Sequence, residues 1–174
     1  YAGPAPIRPE RLFFVGTHGL LYRTLIGDSA SRDERDRVCA WLEIGFGMLM
    51  EHSMNGPAGF AEPGAFQNED LQALQALGRG YRLTHLLHLP MYGSFYLQDD
   101  AESATNWAAA TMFVAWLADP ANPEKTREPF LQFVREALGE RKGDSSSRFD
   151  KVMGKPVEAF DEPWRKWLAK TAGY

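Results

Sequence analysis

Histidine is the first side chain to place when proton transfer or metal binding is in question, and this chain has four. His85 and His88 flank a leucine pair in Leu83-Thr84-His85-Leu86-Leu87-His88-Leu89. Residues at i and i+3 share a helix face, so the two imidazoles could pinch a metal ion. Two ligands fall short of a catalytic zinc site, which takes three from protein. No carboxylate lies within a turn of the pair, so it reads better as two half-exposed residues on a leucine-rich turn. His52 follows Glu51 near the end of an expected helix, where the helix dipole favours a cation. Asp99, Asp100 and Glu102 could work as paired carboxylates, but acidic residues at a helix start are first of all dipole partners. Ser145-Ser146-Ser147 reads as a cap. Cys39 is the single cysteine, which excludes an intramolecular disulfide and any Cys-based zinc finger. It is expected to be a buried, inert thiol. Trp107, Trp116, Trp164 and Trp167 could line a sugar or peptide groove, although tryptophan at helical spacing reads first as core. No Gly-x-Ser-x-Gly elbow, phosphate loop or dinucleotide fingerprint occurs.

His18 has a more specific setting, Thr17-His18-Gly19-Leu20-Leu21-Tyr22. In His-Glu-x-x-His, the i and i+4 positions put two imidazoles on one helix face to hold zinc. The intervening Glu activates the metal-bound water. Here the first His is present, Gly19 stands at the Glu position and Tyr22 at the second His.

A second segment, Trp41-Leu42-Glu43-Ile44-Gly45-Phe46-Gly47, resembles the Trp-Leu-x-Glu-Gly-x-Ala helix of gluzincin metallopeptidases, which supplies their third zinc ligand. The gap from Tyr22 to Glu43 is of the order found there. More specifically, the chain resembles an uncharacterised family of gluzincin-like domains from large bacterial proteins. That family continues with a Leu-x-x-Leu-Leu turn, a helix ending in Phe-Leu and a last Trp-containing helix. The counterparts here are Leu83 to Leu89, Trp107 to Leu117, and Phe149 to Leu168 with Gly154 and Trp164. The resemblance spans about residues 9–170.

The resemblance implies the helical part of a thermolysin-like catalytic domain whose chemistry has been overwritten. Aligned strictly, the third-ligand Glu falls on Ile44, with Glu43 one position off. One position is about 100° of helix rotation, so Glu43 is expected to point away from the ligand site. Only His18 survives of three ligands and a base. One imidazole cannot hold Zn²⁺, and Tyr22 and Ile44 would fill the vacated space. The expectation is a non-catalytic domain without a cofactor. Its vestigial cleft, at His18, Gly19, Tyr22, Glu43 and Ile44, would bind a peptide or protein segment. The alternatives are an active zinc hydrolase with an atypical ligand set, in which His18, Glu43 or Glu51 and a His of the 85–88 turn converge, and an unrelated α-helical interaction module. The resemblance also implies an extracytoplasmic place, and a β-sheet preceding the His-bearing helix in a longer chain.

The elements that must position these residues follow from pattern. The 174 residues are 44% hydrophobic and 24% charged, near the averages for a folded domain, and one domain is expected over 1–174. Valine and isoleucine together number nine against eighteen leucines, which favours helix over sheet. A net charge of −4 with no basic stripe argues against nucleic acid. No apolar run approaches the ~18 residues of a membrane span.

Pro9 suits the start of a helix that Gly27 would end. Ser31-Arg32-Asp33-Glu34 is a capping box opening a helix to about Ser53. That helix is apolar on most sides, so it should be central. A loop is expected over 54–67 and a short helix from Asn68 to Gly78. A helical turn over Leu83–Leu89 should precede Pro90, and Met91 to Leu97 reads as extended. Further helices are expected over 101–118, up to about Leu138, from Ser145 to Gly154, after Pro156, and from Asp161 through Leu168. The fold class is therefore mainly α, a multi-helix domain with little or no sheet.

Overall fold

The computed structural model describes residues 39–53, 80–95, 100–139 and 145–172. Among them the α-helices, in chain order, are α1 (Ala40–Ser53), α2 (Leu83–His88), α3 (Met91–Ser94), α4 (Asp100–Ala118), α5 (Arg127–Gly139), α6 (Ser145–Met153) and α7 (Asp161–Ala172). A 3-10 turn, Val157–Phe160, joins α6 to α7. No strand occurs among the described residues, and none of their helices is long and apolar enough to cross a membrane. The chain is mainly helical, as its leucine-rich, valine-poor composition predicts.

Helix α1 is central. Cys39 through Gly45 are buried, on consecutive positions and hence on every side of the helix. It packs most closely on α4, and Gly45 is the reason the two can meet. A Cβ at Gly45 would lie 2.6 Å from the backbone oxygen of Ala110 and 2.5 Å from the Val114 side chain. The facing stretch Ala108-Ala109-Ala110-Thr111 is small and buried. Small residues on both helices let the backbones approach, as ridges settle into shallow grooves.

Beside this seam lies an aromatic core. Trp41 stacks on Phe133 at 6.0 Å and meets Phe149 edge-on at 5.9 Å. Phe113 meets Trp164 edge-on at 6.0 Å, and Trp116 meets Phe160 likewise at 5.9 Å. These offset and T-shaped arrangements suit the ring quadrupoles. They tie α1, α4, α5, α6, the 3-10 turn and α7 into one apolar cluster.

Local signals set several boundaries. Gly154 takes φ +72, a left-handed stop after α6. Pro156 precedes the 3-10 turn, whose Val157 N–H donates to Asp150 Oδ1 at 2.8 Å. Pro163 sits in the first turn of α7, where its missing N–H costs no hydrogen bond.

Two expected elements differ. The helix expected to run from Ser31 to Ser53 is not continuous: Cys39 is non-helical, and α1 begins at Ala40. Met91 to Ser94 forms a helical turn, not an extended segment. An extended chain needs a ladder partner, and here the carbonyls bond to side chains instead. Asn106 Nδ2 donates to Ser94 O at 3.0 Å and Trp107 Nε1 to Phe95 O at 2.8 Å. The helix expected before Gly27, the capping box at Ser31, the loop over 54–67 and the helix from Asn68 lie outside the described residues.

Candidate functional site

Of the five residues of the vestigial cleft, His18, Gly19 and Tyr22 lie outside the described residues, and Glu43 and Ile44 lie on α1. Helix α1 opens at Cys39, whose carbonyl accepts the N–H groups of Leu42 at 2.9 Å and Glu43 at 3.1 Å. Glu43 and Ile44 are both 0% exposed. The 100° between neighbouring positions therefore does not turn Glu43 toward solvent; it turns it into another part of the interior. Burial pushes the Glu43 carboxyl up to about 8, because the charged form loses its hydration. At neutral pH it is mostly protonated, and so a poor donor to a cation.

The other candidates are placed as follows. His85 and His88 are exposed, while Leu83, Leu86 and Leu87 are buried, as expected of a leucine-rich turn. His88 Nδ1 lies 2.7 Å from Thr84 O, one turn back, and the His85 ring meets Tyr81 edge-on at 5.7 Å. His52 falls in the last turn of α1. Asp100 opens α4, Glu102 is exposed on its first turn, and Asp99 is outside the described residues. Cys39 is 6% exposed, and Ser145 begins α6. Among the described residues no three His, Cys, Asp or Glu side chains come together in a way that could hold a metal ion.

One buried carboxylate does structural work across the fold. Asp161, 4% exposed, accepts the Leu83 N–H at 2.9 Å and the Arg82 guanidinium at 3.2 Å. It caps the first turn of α2 from the start of α7. Nothing local to Leu83 announces this partner, since Arg82 at the N-cap makes no side-chain cap bond.

The described residues also hold a cleft of about 500 Å3 that the motifs did not single out. It lies between the 119–126 loop and one face of α7. Trp116, Asn122 and Pro123 form one side, and Pro163, Trp167 and Lys170 the other. Of the tryptophans set aside as groove candidates, Trp116 and Trp167 reach this cleft; Trp164 is 1% exposed in the aromatic core, and Trp107 bonds to Phe95 O.

The loop wall is fixed by its own hydrogen bonds. Asn122 Nδ2 donates to Trp116 O at 2.8 Å and to Thr126 Oγ1 at 2.7 Å. Thr126 Oγ1 donates to Leu117 O at 3.1 Å, and Glu124 N to Asn122 Oδ1 at 3.0 Å. These bonds use the carbonyls that the C-terminus of α4 leaves over. The sequence signal was Asn122-Pro123 with Thr126, which marks a turn but not that a helix face lies opposite.

No family model, curated protein or solved structure matches the chain.

Proposed function

We propose that this chain is a non-catalytic, zinc-peptidase-like helical domain that binds a peptide or protein segment without cutting it. The observation that supports this best is the complete burial of Glu43 and Ile44 on the central helix. The position where the resemblance would put a zinc-binding carboxylate carries isoleucine in the core. The neighbouring carboxyl is one whose burial favours the neutral acid. A catalytic zinc site needs three charged or basic donors and an open coordination position facing water. A helix buried on all sides at this level offers neither from Glu43 nor from Ile44.

The test is metal content and hydrolysis on the same preparation. After dialysis against zinc and then metal-free buffer, the protein is expected to retain well below one equivalent, and to leave a mixed peptide library intact. Stoichiometric zinc that disappears in His18→Ala, or peptide cleavage that disappears with it, would replace this reading with an active hydrolase of altered ligand set.

A further inference from the structure

The cleft between the 119–126 loop and α7 has walls of opposite charge. Lys166 and Lys170 stand one turn apart on α7, on either side of Trp167. Across from them lie Asp119 and Glu124, at the C-terminus of α4, a helix with no basic residue in its last turn to offset its carbonyl dipole. Glu124 is already engaged by Lys155 at 2.7 Å, and Lys166 by Glu162 at 2.6 Å in an exposed pair. The charges left to face a ligand are chiefly Asp119 and Lys170. Asp119 spends Oδ1 on the Ala121 N–H at 2.8 Å, which holds the carboxylate in place with Oδ2 remaining. Between the two charges the accessible apolar surface is formed by Trp167, Pro123 and Pro163, with Trp116 buried beneath it.

We propose that this cleft binds a short free peptide as a zwitterion. The ammonium lies against Asp119, the carboxylate against Lys170, and an apolar side chain packs on Trp167 between the two prolines. About 500 Å3 is within the range of small-molecule sites and takes two or three residues. The hydrogen-bonded loop wall needs no ordering on binding, which favours affinity. This deepens the reading above, on which it rests, by naming a place and a ligand chemistry.

The experiment titrates the full chain with the dipeptide Ala-Phe, its N-acetyl form and its C-terminal amide, by calorimetry and by NMR of the tryptophan indole groups. Free Ala-Phe is expected to bind and to shift the Trp167 indole resonance. Each capped form should bind about fivefold or more weakly, as the loss of one charge contact of ~1 kcal/mol requires. Lys170→Gln, which removes the charge without adding an opposite one, should weaken free Ala-Phe and leave the amide form unchanged. Asp119→Asn, which keeps the acceptor for Ala121, should weaken free Ala-Phe and leave the N-acetyl form unchanged. Both substitutions are at the surface, so thermal unfolding should confirm an intact fold. Equal binding of capped and free forms, or no shift at Trp167 at millimolar peptide, overturns the proposal. Cleavage of the dipeptide would overturn the non-catalytic reading and leave the cleft assignment standing, so the two failures are distinguishable.

Discussion

Helix α4 serves two neighbours in opposite ways. In its middle, Ala110 and Val114 meet Gly45 of α1 so closely that one added methyl has no room. At its C-terminus, Trp116 and the loop that follows stand off from α7 across about 500 Å3. The seam contains the residues that resemble a peptidase motif, and it is solid. The cleft contains none of that motif, and it is open. A binding group needs a face that a ligand can reach, and among the described residues the cleft offers one where Glu43 and Ile44 do not. The buried polar groups differ in the same sense. Glu43 at the seam is driven toward its neutral form by lost hydration, whereas Asp161 and Asn122 are surrounded by hydrogen-bond partners that hold their positions.

Four substitutions probe that contrast, and the largest effect is expected at the aromatic core behind the seam. Trp41→Ala removes a 0% exposed ring in contact with Phe113, Phe133 and Phe149 and should cost about 3–5 kcal/mol in denaturant unfolding. Next is Glu43. Its folded-state value near 8 lies above the ordinary 4.5, so the folded chain holds a proton that the unfolded chain releases. Stability should therefore be highest below about pH 4.5 as far as this group is concerned. It should fall by up to about 1.4 kcal/mol per pH unit as pH rises toward 8. Glu43→Gln should flatten that slope in urea midpoints measured from pH 5 to 8; an unchanged slope would show that another group sets it.

Gly45→Ala should destabilise by about 1–3 kcal/mol, since the clash is partly with backbone that cannot rotate away. A pairing of Gly45→Ala with Val114→Ala should recover only part of the loss, because the Ala110 oxygen remains. Asn122→Ala, on the cleft side, should cost about 1–2 kcal/mol by removing the side-chain bonds to the Trp116 carbonyl and Thr126 hydroxyl, and it should loosen the loop more than the core. Hydrogen exchange at 119–126 against α1 checks that last point.

Much of this fold was legible from pattern. Gly154 and Pro156 bound elements where their local chemistry says they should, because left-handed glycine and proline act within a turn of the chain. A helix apolar on most sides through Trp41, Leu42, Phe46 and Leu49 was expected to be central, and residues 39–45 are buried accordingly. Of the four tryptophans read first as core, Trp116 and Trp164 are 1% exposed, while Trp107 and Trp167 are half-buried against it. The candidate site was less legible. His18, Gly19 and Tyr22 lie outside the described residues, and the rotation argument for Glu43 did not foresee that Glu43 and Ile44 would both be interior. The turn at Met91–Ser94 was read as extended because its hydrogen-bond partners sit on another element, at Asn106 and Trp107.

By itself the sequence determined the helical class, the ends of most helices and which faces are apolar, because these depend on interactions spanning a few residues. Only the tertiary structure decided three further things. Gly45 is a contact surface for α4 and not a flexible point. Asp161 caps a helix 78 residues away. Lys170 and Asp119 line one open cleft. Each of these depends on where two distant helices cross, and crossing geometry is set by the sum of packing over the whole core, which no local pattern encodes.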